Sequence, residues 1–162
     1  MKTFFRLTLA AALVALAAAT ASAQVTQTLT INAAVNARAT ITLSVGSVDF
    51  ADADPDVSPT INASGAVTVT AKSRTSQGNA VTLTIEAPDL TEVGGGTIAA
   101  SQISWAGNGD LAGGTLSNAA VTLVSSTNSG QRTGDMTFVL VNDWAYAVGA
   151  YSTTVTYTLS AP

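Results

Sequence analysis

Four aspartates, Asp49, Asp52, Asp54 and Asp56, fall within eight residues and form the densest set of hard oxygen ligands in the sequence. Carboxylates at alternate loop positions can share a calcium ion, so this run is the candidate metal site. The EF-hand pattern is not met. With Asp52 as position one, Val57 stands where glycine is required and Ala63 where the bidentate glutamate belongs. Pro55 and Pro59 break the run, so its plainer reading is an acidic, solvated turn, and no cofactor is expected.

Other acids could work in pairs. Glu86 and Asp89 flank Pro88, and Asp143 precedes Trp144; two carboxyls set about 5–10 Å apart across a cleft hydrolyse glycosides. Such a site also gathers aromatic side chains, and the chain holds only two Trp and three Tyr. A serine–lysine dyad would need Lys72 desolvated beside Ser73 so that its amine loses a proton. Lys72 instead precedes a Ser/Gly-rich turn, and with Arg74 and Arg132 it reads as a solubilising residue. The sequence has no His and no Cys, which removes His-dependent triads, disulfides and most zinc, haem and iron–sulfur chemistry. No enzymatic activity is expected.

The first 23 residues have an export pattern. Lys2 and Arg6 precede an apolar run over Leu7–Ala19, and Ala21-Ser22-Ala23 is a small-x-small cleavage signal. A cleavable signal helix is therefore expected over 1–23, followed by one domain over 24–162. Losing Lys2 and Arg6 takes the formal charge from −4 to −6. Four basic residues are too few for a nucleic-acid surface. No membrane span is expected after cleavage, which points to a secreted protein in the extracellular space, at the cell surface or in the periplasm.

Beyond that signal the apolar residues recur with period two, as on half-buried strands. Val25–Ile31, Val67–Thr70, Val81–Ile85, Val121–Leu123, Met136–Leu140 and Val155–Leu159 all alternate, usually with threonine. Threonine's branched side chain prefers extended backbone and leaves a hydroxyl for the wet face. Turn residues separate the runs, among them Asp54-Pro55-Asp56, Gly94-Gly95-Gly96 and Gly107-Asn108-Gly109-Asp110. About eight or nine strands without helical crossovers predict an all-β fold, an antiparallel immunoglobulin-like β-sandwich. A closed barrel would have the same periodicity.

Ala34–Leu43 followed by Val48-Asp49-Phe50 resembles the first strands of bacterial surface domains of the spore-coat-U and fimbrial-subunit type. Gly149–Leu159 resembles their closing G-x-Y-x-x-x-V-x-x-T-L strand, and also the end of WxL cell-wall-binding domains. Val81 and Tyr157 stand where the WxL tryptophans would be. The resemblance implies a structural module of the cell surface or envelope, with other surface proteins, further copies of itself or an envelope glycan as partners.

Two features could make those contacts. Trp144 and Tyr146 lie in the Asn142–Gly149 connection, where clean alternation stops, whereas Trp105 alternates with Ile103 and Phe138 with Met136 and Leu140, as core residues do. Val25, Leu29 and Ile31 lie on one face of an alternating segment without charge or proline. That segment is expected to fold back as the domain's own first strand. The alternative is a pilin-like filament subunit, in which residues 24–31 complete a neighbour's sheet through main-chain hydrogen bonds.

Overall fold

The computed structural model describes residues 24–162, and the expected signal helix lies outside the described residues. Residues 24–33 are exposed and belong to no strand or helix. The strand expected over Val25–Ile31 is therefore not formed within the chain, and the first strand begins only at Arg38. Alternation gives a segment one face to bury, but pairing also requires a neighbouring edge, which period two does not supply.

Ala34–Pro162 is one compact unit. Its strands are β1 (Arg38–Leu43), β2 (Thr60–Asn62), β3 (Val67–Arg74), β4 (Val81–Glu86), β5 (Leu90–Thr91), β6 (Thr97–Ile98), β7 (Ile103–Gly107), β8 (Gly114–Thr115), β9 (Val121–Ser126), β10 (Gly130–Val141) and β11 (Thr156–Ser160). A single 3₁₀ turn spans Ala100–Gln102. The excess over eight or nine strands comes from β2, β5, β6 and β8, which are two or three residues long and too short to show a period.

Every strand pair is antiparallel. The main sheet runs β1-β3-β10-β7-β8, with β2 alongside the far end of β10; the second sheet runs β11-β4-β9, and β5 and β6 form a hairpin. In register, Leu43 faces Val69 and Val69 faces Gly134, while Phe138 faces Trp105. One face of the main sheet therefore collects Val67, Val69, Ala71, Met136, Phe138, Leu140, Ile103 and Trp105, all buried. The second sheet adds Leu83, Ile85, Leu123 and Val124 to the same hydrophobic cluster. A register shift between Leu83 and Thr84 sets Val124 opposite Leu83 and Thr122 opposite Thr84. This bulge buries the consecutive residues Leu123 and Val124.

Polar groups are met locally. The Trp105 indole N–H donates to the Ala112 carbonyl at 2.9 Å, and its ring tilts against Phe138 at 6.3 Å. The Glu92 carboxylate accepts the backbone N–H of Gly96 and of Gly94, which holds its pKa below the ordinary carboxylate value.

Candidate functional site

The core is closed where β3, β4, β7, β9 and β10 face one another and β1 approaches β11, and it opens where the chain leaves β1 and enters β11. Ile41 on β1 and Tyr157 and Leu159 on β11 point inward by their register with Ala71, Ile85 and Leu83, yet all three are only half-buried. Leu43 and Val45 are exposed outright. Between residues 43–55, which carry on from the end of β1, and residues 142–157, which lead into β11, lies a groove of about 1520 Å³, floored by Leu90, Ile98, Ile103, Leu116, Phe138 and Leu140. Small-molecule sites usually enclose about 300–1,000 Å³, so the space suits a length of chain better than a compact ligand.

Both walls adjoin bare strand edges. Among the described residues β1 pairs only with β3 and β11 only with β4, which leaves a row of main-chain donors and acceptors on each. The walls extend beyond the strands. After β1, Ser44 N–H donates to the Thr68 carbonyl at 3.0 Å and Phe50 bridges Ala63. Before β11, Ser152 and Thr91 exchange two main-chain bonds of 3.0 Å. The first wall runs from Leu43 to Pro55, and the second from Asn142 to Tyr157.

The acidic turn forms the mouth of the groove. The Asp54 carbonyl accepts the N–H groups of Val57 and Ser58, and its side chain accepts that of Asp56 at 2.9 Å, a turn that aspartate followed by proline initiates. Asn142 clasps this turn to the end of β10: its amide donates to the carbonyls of Ala53 and Ser58, each at 3.0 Å. Trp144 closes the clasp with its indole N–H on Asp56 at 3.1 Å, but 67% of the residue remains exposed. Tyr146, named with Trp144 in the sequence, is half-buried against the core. Desolvation, and to a smaller extent the Asp143 charge, raise its pKa.

The other candidate residues are dispersed. Asp49 N–H donates to the Ser64 hydroxyl and the Asp49 carbonyl accepts the Ser64 N–H, the Asp89 carboxylate accepts the N–H of Ala100, and that of Asp143 accepts the N–H of Ala145. Glu86 lies opposite Thr156, and Lys72 is exposed between Thr40 and Gln131. Among the described residues no three metal-ligating side chains converge, and no charged side chain is buried. The groove walls escape sequence reasoning because Val155–Leu159 has the same alternation as strands paired on both sides.

Tyr157 provides a probe of the groove. Its hydroxyl reaches only the Met136 thioether, at 3.7 Å, and burial raises its pKa to about 12. A tyrosine raised above the unfolded value near 10 favours the protonated, folded form. The stability it contributes is therefore complete below about pH 10 and is lost as pH rises towards 12. Thermal melts across that interval should show this loss, and Tyr157→Phe should flatten it.

Neither a protein-family model nor a curated protein sequence matches the chain, so the groove and its mouth are the basis on which function is argued.

Proposed function

We propose that the protein is an exported, non-enzymatic structural module of the bacterial cell surface or envelope, and that it assembles with copies of itself by strand exchange. The two sheets around one core are read as an immunoglobulin-like sandwich whose second sheet accepts one more strand beside β11. Residues 24–31 of the next copy supply that strand. The observation that carries this reading is an open apolar groove adjoining the free edges of β1 and β11, in a chain whose alternating segment is itself unpaired and exposed, Leu29 by 85%.

The fit is physical at each level. Val25, Leu29 and Ile31 share one face of an extended chain, as do Ala33 and Val35 beyond them. That face would replace water over the groove floor, and the main chain would satisfy the bare edge of β11. The threonines between would keep the outer face polar, as they do on β3, β4 and β11. The resemblance to fimbrial subunits points the same way. An envelope-glycan role has less support, since Trp144 is the one strongly exposed tryptophan among the described residues.

Light scattering on the chain from Gln24, with and without residues 24–31, tests the proposal. Oligomers that disappear on deletion are expected, and a monomer in both cases refutes it. Because the sequence has no cysteine, Val25→Cys and Leu159→Cys variants give a clean second measurement. Oxidising their mixture should yield the mixed dimer. A cross-link confined to one chain in the double variant would show self-insertion instead.

A further inference from the structure

We propose that the copies stack head to tail, the acidic, apolar mouth of one groove receiving the basic end of the next molecule; this rests on the strand-exchange reading above. Charge is segregated along the main sheet. All four basic residues of the described chain lie at one end: Arg38 opens β1 and faces Arg74 at the end of β3, while Lys72 faces both Thr40 and Gln131, and Arg132 follows at the start of β10. Arg38, Lys72 and Arg74 are exposed.

The other end of β10 carries the mouth. Asp52, Asp54, Asp56 and Asp143 are exposed there, in the turn that Asn142 and Trp144 hold to the strand end. From Gln131 to Val141 a strand rises about 3.3 Å per residue, so the two poles are roughly 30 Å apart. Within the acidic pole lie apolar side chains without cover: Val57 beside Asp56, Trp144, and Val148, which is fully exposed. A charged rim around an exposed aromatic is the composition of a protein-binding surface.

Strand direction selects which surface of the next copy meets this mouth. Every pair in the molecule is antiparallel, and antiparallel pairs are the commoner and slightly stronger kind. A segment antiparallel to β11 enters beside Ser160 and leaves beside Thr156 and Ser152, towards the mouth. Residues 32–37 then lead to Arg38, the first of the basic pole. The geometry therefore brings Arg38, Lys72 and Arg74 of the incoming copy over Asp52, Asp54, Asp56 and Asp143, with Trp144 and Val148 between them. A parallel insertion would carry the basic pole to the opposite end of the groove, where no such acidic cluster stands.

Paired charge reversals test this arrangement. Arg38→Glu/Arg74→Glu takes the four basic residues of one pole from +4 to zero net charge, and Asp52→Lys/Asp56→Lys takes the four aspartates of the other from −4 to zero. Each variant alone should associate on the order of tenfold or more weakly than the unaltered chain at low salt, and the difference should shrink in 0.5 M NaCl. Mixed in equal amounts, the two should co-assemble, since the reversed side chains of one variant then meet those of the other and the two unaltered poles meet each other. Trp144 emission should shift to the blue on assembly, Trp105 being buried throughout. Unimpaired assembly by either variant alone, or no recovery in the mixture, overturns the proposal. A fluorescent peptide of residues 24–37 separates this failure from failure of strand exchange. It lacks a second body, so it should bind the Asp52→Lys/Asp56→Lys variant and the unaltered chain alike. If it binds neither, and the unaltered chain stays monomeric, both readings fail.

Discussion

Replacing Leu29 and Ile31 together by aspartate is expected to abolish self-association while leaving each molecule's melting temperature unchanged. Burying a leucine or isoleucine side chain contributes about 1.5–3 kcal/mol, so the pair accounts for about 3–6 kcal/mol of the groove interaction. At about 1.4 kcal/mol per tenfold change in affinity, the dissociation constant should rise roughly a hundredfold to ten-thousandfold. Two carboxylates facing an apolar floor would add a desolvation cost. At concentrations where the unaltered chain is dissociated, and assembly adds nothing to stability, the melting temperature is unaffected because residues 24–33 take no part in any strand of the same chain. Thr28→Asp/Thr30→Asp supplies the control: it adds the same charge on the opposite face and should weaken association only slightly. Light scattering over a dilution series distinguishes the outcomes, and equal effects from both pairs would mean that the segment acts through charge and not through a buried face.

The second large effect lies in the fold itself. Gly134→Ala should destabilise the domain by about 2–4 kcal/mol and lower its melting temperature by on the order of 10 °C. A Cβ on Gly134 would stand 2.1 Å from the Asn108 carbonyl oxygen and 2.8 Å from Leu111 Cγ. The Asn108–Leu111 turn cannot easily yield, because it is laced to β10 on both sides of the glycine. Asp135 N–H donates to the Asn108 side chain at 2.7 Å and Thr133 N–H to the Asp110 carboxylate at 2.8 Å. The main-chain N–H groups of Asn108 and Asp110 return bonds to Asp135 and Thr133. Moving the turn gives up several hydrogen bonds, each contributing about 1 kcal/mol. Calorimetry on the variant checks this, and a loss below 1 kcal/mol would show that the turn is free to lift.

How far these features could be read in advance depends on their range along the chain. The runs at Val67, Val81, Val121, Met136 and Val155 are strands because period two is a local property of the pleat, and Trp105 and Phe138 are buried where their alternation places them. The same rule fails at Val25–Ile31, which has the right pattern and pairs with no strand of its own chain. It also misses the bulge that buries both Leu123 and Val124, since a register shift depends on the opposing strand. The acidic run is a turn, as Pro55 suggests, but its attachment to Asn142 and Trp144 joins residues more than 80 apart in sequence. Nothing near Asp56 indicates it.

By itself the sequence determined that the domain is all-β, that threonine lines its wet faces, and that thiol and imidazole chemistry are absent. These follow from composition and from a period set residue by residue. Only the tertiary structure decided which edges stay unpaired, that Val48 and Tyr157 line one apolar groove, and that the basic and acidic residues separate to opposite ends of the main sheet. Those outcomes depend on strand order and register, which are fixed by packing two sheets on one core and not by any neighbouring residue.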